Sequence, residues 1–138
     1  MKAKFSQEVK YDSVLLIDED DIDNFINERM ITTSNFAKRV IVKTSAISAL
    51  EYLKEIASPD SYPKIIFLDL NMPIMDGFGF LDEFDKLAKQ NPRLAETSKI
   101  IVLSSSISPA DINKASTNPY VIKYLNKPLS EKYLDAVS

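Results

Sequence analysis

Five short apolar runs recur along the chain, separated by longer and more polar segments. Runs of four or five residues rich in Ile and Val are typical of strands that are buried on both faces, as in a parallel sheet. Three of the runs are strongly apolar and two are weaker. They are residues 14–17 (VLLI), 39–43 (RVIVK), 65–68 (IIFL), 100–103 (IIVL) and 121–125 (VIKYL). We therefore predict five strands.

Between these runs, apolar residues recur with helical spacing. Three segments carry them at i, i+3 and i+4, which predicts an amphipathic helix with one apolar stripe toward the core. The stripes are Ile22, Phe25, Ile26 and Met30; Ala46, Ala49, Leu50, Leu53 and Ala57; and Phe80, Leu81, Phe84, Leu87 and Ala88.

Cap residues predict two further helices near the end of the chain. Ser108 before Pro109 fits an N-cap followed by proline at the first helical position, and Ser130 fits the N-cap of a short last helix. Residues 58–63 and 91–98 are predicted loops. Five strands alternating with five helices indicate an α/β fold with helices on both faces of a parallel sheet.

Composition narrows the chemistry that such a fold could perform. The 138 residues suit one domain, and they include no cysteine and no histidine. Disulfides, zinc–thiolate sites and thiol nucleophiles are therefore excluded, together with the commonest general base. Carboxylates, lysines, hydroxyls and a hard cation such as Mg²⁺ remain available.

Charge and hydropathy argue against nucleic-acid and membrane partners. The net charge is -3 and no block of Lys or Arg is present. The strongly apolar runs are too short to span a bilayer, and residues 1–13 contain no signal-peptide core. We therefore expect a cytoplasmic protein.

Polar residues follow four of the predicted strands, at the edge where an open α/β sheet binds ligands. They are Asp18, Glu19 and Asp20 after the first strand; Asp69 and Asn71 after the third; Ser104 after the fourth; and Tyr124 and Lys127 within and after the fifth. An acidic run can also serve only as a helix cap and dipole complement. Two carboxylates about 4 Å apart, however, repel by roughly 4 kcal/mol at an effective dielectric near 20, so a cluster needs a cation.

Mg²⁺ held by one or two carboxylates would supply that cation. Lys127 adds a point charge suited to phosphate oxygens, and Ser104 adds a hydroxyl donor. A metal, an ammonium and a hydroxyl around the carboxylate of Asp69 would stabilise the charge of a phosphoryl group.

The segments that carry these residues, LLIDED, LDLNMPIMDG, VLSSS and YLNKP, occur in this order along the chain. In combination they resemble the receiver domain of two-component response regulators of the stand-alone, chemotaxis-regulator-like type. The resemblance implies a flavodoxin-like (βα)5 fold, a doubly wound parallel sheet in the order 2-1-3-4-5. It spans residues 13–138 as a single domain without an output domain, after a polar N-terminal extension of residues 1–12.

The resemblance also implies roles for individual residues. Asp69 would accept a phosphoryl group from a sensor histidine kinase or a phosphotransfer protein. Asp18, Glu19, Asp69 and the backbone carbonyl of Asn71 would hold Mg²⁺. The family more often has a second aspartate at the position of Glu19, so Asp20 is an alternative ligand.

Further residues match the family's switch and loop positions. Ser104 and Tyr124 would respond to phosphorylation, Lys127 would contact the phosphoryl group, and the face formed by the last two helices and the last strand would then bind a downstream protein or a second copy. Pro73 and Gly77 would shape the loop after the third strand, with glycine permitting a positive φ. The protein would be no enzyme beyond its own phosphorylation and dephosphorylation.

Two other interpretations fit parts of the pattern. Asp18 and Asp20 form an Asp-x-Asp pair, as in haloacid-dehalogenase-like phosphatases with Asp18 as nucleophile, although Ile22 stands where Thr or Val is usual. A receiver-like binding module that works without phosphorylation is the second. A flavodoxin is disfavoured because the loop after the first strand is acidic where a phosphate would lie.

Overall fold

The computed structural model describes residues 8–137, which form one sheet covered by helices on both faces. The strands are β1 (Tyr11–Ile17), β2 (Ala37–Lys43), β3 (Ile65–Leu68), β4 (Lys99–Ser104) and β5 (Val121–Asn126). The helices are α1 (Asp21–Thr33), α2 (Ala46–Glu55), α3 (Gly77–Gln90), α4 (Pro92–Thr97), α5 (Pro109–Ser116) and α6 (Glu131–Ala136).

The sheet is parallel throughout, in the order β2-β1-β3-β4-β5. This confirms the predicted fold class, and each of the five apolar runs lies within a strand. The first strand begins at Tyr11, so residues 11 and 12 of the predicted N-terminal extension belong to the sheet. Residues 1–7 of that extension lie outside the described part of the chain.

Alternate residues of the strands enter two separate cores, which explains why the runs are continuously apolar. Leu15 and Ile17 face α2 and α3, and Val14 and Leu16 face α1 and α6. All four residues of β3 are buried. A continuous apolar run is the pattern expected when both faces of a parallel sheet are covered.

The helical stripes of α2 and α3 pack as predicted. Their buried residues are Ala46, Ala49, Leu50 and Leu53 in α2, and Phe80, Leu81, Phe84 and Ala88 in α3. Ala57 is an exception, because α2 ends at Glu55 and the exposed Ala57 follows it.

The stripe predicted for α1 is wrong. Ile22, Phe25 and Ile26 are 70%, 64% and 45% exposed, and the buried residues of the helix are Asn24, Asn27 and Ile31. The helix is oriented with its two asparagines inward, where they bond to buried backbone groups that would each cost about 1–3 kcal/mol if left unpaired. Met30 alone of the predicted stripe is partly buried against the core.

The predicted loop at residues 91–98 contains helix α4. Pro92 occupies the first turn, where its missing N–H costs nothing, and Leu94 is buried. Pro59–Ser61 in the other predicted loop forms a single 3-10 turn. The caps were predicted correctly: Ser108 accepts a hydrogen bond from Asp111 N, and Ser130 accepts one from Tyr133 N.

No helix within residues 8–137 combines the length and the apolar character needed to cross a lipid bilayer.

Candidate functional site

The strand ends bring three distant segments together at one edge of the sheet. The pairing of β1 and β3 continues one residue past the strands, where Asp69 N donates to Ile17 O at 3.0 Å. On the other side, Lys127 N donates to Ser104 O at 3.0 Å, which continues the pairing of β4 and β5. The side chains of Asp18, Asp69 and Lys127 therefore meet, although 109 residues separate the first from the last.

The ammonium of Lys127 lies among three carboxylates. Its Nζ is 2.6 Å from Asp18 Oδ2, 2.9 Å from Asp23 Oδ2 and 3.4 Å from Asp69 Oδ1. The side chains of Asp18 and Asp69 are 2% and 5% exposed, and that of Lys127 is 12% exposed. Ion pairs so well shielded from water interact more strongly than surface pairs.

The pKa of Asp69 is raised to about 6, first by burial and second by the neighbouring charge of Asp18. The charge and hydrogen bond of Lys127 oppose the rise, as does the backbone N–H of Asn71. Near neutral pH the carboxylate is therefore mostly ionised. Its ionisation is nevertheless disfavoured relative to an aspartate in water.

Burial acts in the opposite direction on Lys127 and by itself would lower its pKa. Contacts with Asp18 and Asp23 and the charge of Asp69 outweigh it, and the pKa of Lys127 is raised above its ordinary value. The ammonium therefore stays charged throughout the physiological range.

The predicted metal ligands are only partly gathered. Asp18 and Asp69 share Lys127, whereas Glu19 is exposed. Asp20 Oδ1 accepts hydrogen bonds from Ile22 N and Asp23 N, as the N-cap of α1. Within residues 8–137 no three acidic side chains are close enough together to hold a metal ion as they stand.

The donor set nevertheless fits a hard divalent cation. Asp18 Oδ2 is buried and accepts no well-aligned hydrogen bond, although it lies close to the ammonium of Lys127. Three carboxylates face a single ammonium, so the cluster has a formal excess of negative charge. Carboxylate oxygens are the ligands that Mg²⁺ and Mn²⁺ prefer.

The predicted switch residues Ser104, in β4, and Tyr124, in β5, both contact Ser106 in the loop after β4. Ser104 is fully buried, and its Oγ accepts a hydrogen bond from Ser106 N at 3.0 Å. The half-buried Tyr124 donates its hydroxyl to Ser106 O at 2.9 Å, and Ser106 Oγ donates to Asp111 Oδ2 at 2.8 Å. Ser106 thus links Ser104, Tyr124 and helix α5.

The loop after β3 differs from the prediction in its backbone. The positive φ belongs to Ile74, at 71°, and not to Gly77. Met75 N donates to Pro73 O at 2.8 Å, so Ile74 is the central residue of a γ-turn. Glycine is needed at residue 77 for space instead, since a Cβ there would lie 2.7 Å from Asp69 O and 2.8 Å from Leu70 Cα.

Sequence reasoning missed three residues of α1 that support this edge. Asp23 contacts Lys127, Asn24 Nδ2 donates to Asp18 O at 2.8 Å, and Asn27 Oδ1 accepts from Leu129 N at 3.1 Å. The spacing of Asn24, Asn27 and Ile31 is i, i+3, i+7, a second helical stripe that could have been noticed. A stripe containing two amides is easily mistaken for a solvent-facing side.

Comparison with known proteins decides the family. The sequence profile of the response regulator receiver domain matches residues 14–137. The chain belongs to the response regulator receiver family. The matched region of this receiver includes Lys127 and the three aspartates that contact it, Asp18, Asp23 and Asp69.

Relatives of this receiver carry regulatory names. The probable methanogenesis regulatory protein FilR2 of Methanothrix harundinacea is 30% identical over 118 residues, covering 85% of this chain and 72% of that protein. Response regulator Rcp1 of Synechocystis is 29% identical over 123 residues, covering 88% and 80%. Membership of the receiver family disfavours the phosphatase alternative.

Solved structures share the fold. A two-component response regulator from Cytophaga hutchinsonii aligns with a TM-score of 0.81 and 35% identity, over 95% of each chain. The Mn²⁺-bound form of Rcp1 aligns with a TM-score of 0.68 and 26% identity, over 91% of this chain and 88% of that one.

Proposed function

We propose that this receiver accepts a phosphoryl group on Asp69 from a sensor histidine kinase or a phosphotransfer protein in the cytoplasm, and passes the signal on by protein–protein contact. The observation that carries the proposal is the buried ion-pair cluster, in which Lys127 contacts both Asp18 and Asp69. A buried carboxylate beside a fixed ammonium suits the transfer of an anionic group, because the positive charge is already in place.

The chemistry is a nucleophilic substitution at phosphorus. A carboxylate oxygen of Asp69 attacks the phosphorus of a phosphohistidine, a P–O bond forms, and the P–N bond breaks with its electron pair returning to the imidazole. Lys127 stabilises negative charge on the phosphoryl oxygens. Hydrolysis of the acyl phosphate later restores the carboxylate, and we expect Asn71 and Ser106 to influence its rate.

A divalent cation, Mg²⁺ in our proposal, would be held by Asp18 and Asp69 with Glu19 or Asp20 and the carbonyl of Asn71. When bound it would neutralise charge on the transferred oxygens. The buried Asp18 Oδ2 and the excess of carboxylates over ammonium support this assignment. The Mn²⁺-bound structure of Rcp1 supports it by analogy.

Signal output would begin at Ser104. Its hydroxyl would turn from Ser106 N toward the phosphoryl group, and Tyr124 would lose or change its bond to Ser106 O. Both residues adjoin the α5–β5–α6 face, defined here as residues 109–136. That face would then change its affinity for a downstream protein or for a second copy of the chain.

Exposed apolar residues around the same edge support a protein phosphodonor. Ile22, Phe25 and Ile26 lie at the start of α1, Ile74 follows β3 and is 96% exposed, and Ile107 follows β4 and is 79% exposed. Large exposed apolar residues gathered at one end of a domain mark protein contact sites.

The first experiment is phosphorylation by a small phosphodonor. Incubation with phosphoramidate and Mg²⁺ should add the mass of one phosphoryl group, and Asp69→Asn should abolish the addition. Asp60 is exposed and lies in the turn before β3, at the opposite end of that strand from Asp69, so Asp60→Asn serves as the matched control and should react like the wild type. Labelling of Asp69→Asn at the wild-type rate would refute the assignment. Absence of labelling in every form would favour the phosphorylation-independent binding module.

Lys127→Ala tests the role of the ammonium. We expect it to weaken the binding of beryllofluoride, a phosphoryl mimic, more than it weakens Mg²⁺ affinity, because the ammonium would pair with the bound anion and supplies no ligand to the metal. Fluorescence or calorimetric titration measures both quantities. Equal loss of the two would count against the role of Lys127 at the phosphoryl group.

A further inference from the structure

Asp23 lies outside the acidic run that follows β1, yet its carboxylate reaches into the site. It is the third residue of α1, and its Oδ2 accepts a hydrogen bond from Lys127 Nζ at 2.9 Å. Its side chain is 37% exposed, whereas the other two carboxylates around Lys127 are almost completely buried. Asp23 is therefore the one member of the cluster that solvent can readily solvate if Lys127 leaves it.

The contacts of Lys127 are unequal. A lysine ammonium has three N–H donors, and here three carboxylates compete for them. Asp18 at 2.6 Å and Asp23 at 2.9 Å are the nearer partners, and Asp69 at 3.4 Å is the farthest. The two nearer partners are contributed by the end of β1 and by α1, so they hold the ammonium on the α1 side of the acceptor.

We propose that Asp23 is a positioning residue that holds Lys127 back from Asp69, and that Lys127 exchanges Asp23 for a phosphoryl oxygen when Asp69 is modified. This inference rests on the proposed phosphorylation of Asp69. It adds a residue that sets how strongly the site binds a phosphoryl group: the contact with Asp23 must be given up before Lys127 can donate to the new oxygens.

A purely structural role for Asp23 makes different predictions. Acidic residues in the first turn of a helix stabilise the helix by interacting with its dipole, and Asp21 is in the same turn. Asp21 is exposed, which makes Asp21→Asn a matched control. It removes the same charge from the same helix end and leaves the Lys127 contact in place.

The first measurement needs no phosphoryl group. The ¹⁵N and ¹H signals of the Lys127 ammonium are followed by NMR in the wild type, Asp23→Asn, Asp23→Glu and Asp21→Asn. We expect Asp23→Asn to shift the signal and to accelerate its proton exchange with water. Asp23→Glu should restore the wild-type behaviour, and Asp21→Asn should leave it unchanged. A Lys127 signal that does not respond to Asp23→Asn overturns the inference.

The second measurement is beryllofluoride affinity at saturating Mg²⁺. A partly exposed ion pair is worth up to about 1 kcal/mol, so Asp23→Asn should bind the mimic about twofold to fivefold more tightly than the wild type. Asp21→Asn should change the affinity less than Asp23→Asn does. In the Lys127→Ala background the gain from Asp23→Asn should disappear, because the double-mutant cycle isolates the contact between the two residues. An equal gain in both backgrounds would overturn the inference and indicate a long-range charge effect.

The outcomes separate this inference from the proposed function. If the wild type binds beryllofluoride and is phosphorylated but Asp23→Asn behaves like the wild type, only the role of Asp23 is wrong. If the wild type neither binds the mimic nor reacts with phosphoramidate, the proposed function fails and the role of Asp23 fails with it.

Discussion

Helices α1 and α3 both start at the edge of the sheet that carries the site, but different forces orient them. In α3 the apolar stripe of Phe80, Leu81 and Phe84 packs into the core. In α1 the comparable stripe faces solvent, and Asn24 and Asn27 face inward. The orientation of α3 follows from hydrophobic burial, whereas that of α1 follows from hydrogen bonds to buried backbone groups.

The difference shows that α3 contributes mainly to the core of this receiver, whereas α1 also supports the candidate site. The buried contacts of α3 are with apolar side chains of the core, and its acidic residues Glu83 and Asp85 pair with Lys86, Lys89 and Tyr120 rather than with residues of the site. The α1 side supports Asp18, Leu129 and Lys127 directly through its own polar side chains. Exposed apolar residues on α1 are then available for a partner.

Truncation of one phenylalanine on each helix gives the largest contrast. Phe84 is fully buried and Phe25 is 64% exposed. Phe84→Ala should lower the free energy of unfolding by about 3–5 kcal/mol, because it removes a buried ring and leaves a cavity. Phe25→Ala should lower it by less than about 0.5 kcal/mol. Urea denaturation measures both. Similar losses for the two variants would break the comparison.

The stability of the protein should also depend on pH, because the buried carboxyl of Asp69 titrates differently in the folded and unfolded states. The folded carboxyl of Asp69 has its pKa raised from 3.8 to about 6, so it holds its proton more tightly than in the unfolded chain. Its favourable contribution is complete below pH 3.8 and is lost as the pH rises through 6. Asp69→Asn has no charge to bury at residue 69 and so avoids this loss. Without divalent cations, its free energy of unfolding relative to that of the wild type should rise by on the order of 2–3 kcal/mol between pH 4 and pH 7.

Chemical denaturation of both proteins across this pH range tests the prediction. Saturating Mg²⁺ should reduce the gain, because a cation that binds the ionised wild-type site stabilises it. Phe84→Ala, measured in parallel, should lower the free energy of unfolding by the same amount at every pH. A gain for Asp69→Asn that does not grow with pH would contradict the prediction.

Asn27 tests the hydrogen bonds that orient α1. It is 1% exposed, and Asn27→Ala leaves the buried N–H of Leu129 without its acceptor. The expected cost is about 1–3 kcal/mol, the penalty for an unpaired buried donor. Asp82→Ala on the exposed side of α3 is the control and should cost less than about 0.5 kcal/mol. Thermal or urea unfolding of both variants measures the contrast, and equal costs would count against polar orientation of α1.

The smallest expected effect concerns the loop that leads into α3. Ile74 is 96% exposed and has a φ of 71°, which is unfavourable for a β-branched residue. Ile74→Gly and Ile74→Asn should each raise the free energy of unfolding by about 0.5–1 kcal/mol, because strain is relieved and no burial is lost. Ile107→Gly, at an exposed isoleucine without positive φ, should give no gain. A loss of stability in both Ile74 variants would show that the turn is not strained.

The sequence predicts most of this fold and fails where polar contacts decide. The five strands and the caps at Ser108 and Ser130 follow from patterns that act locally, whereas the strand order was implied by the resemblance to receiver domains. The orientation of α1 does not, because it depends on contacts between Asn27 and Leu129, which are 102 residues apart in sequence. Helix α4 was missed because one proline and one buried leucine are a weak signal.

The same division applies to the site. The proximity of Asp18, Asp69 and Lys127 was predicted, because parallel strands end at a common edge and the motif was recognised as that of a receiver. The contact of Asp23 was not predicted, since an acidic residue in the first turn of a helix is indistinguishable in sequence from a helix-dipole complement. Glycine is required at residue 77 for space and not, as the sequence analysis predicts, for a positive φ.

Gly77 and Ile74 place opposite limits on variation within one short loop. Replacement of the hydrogen at residue 77 by any side chain would press on the backbone of Asp69 and Leu70, both of which are buried. Residue 74, three positions earlier, has an open environment and a positive φ that Gly and Asn adopt most readily. A saturation library of this loop should therefore return almost only glycine at residue 77 and a wider set of amino acids, enriched in Gly and Asn, at residue 74, so that evolution can vary the exposed rim of the site while the backbone beneath it stays fixed.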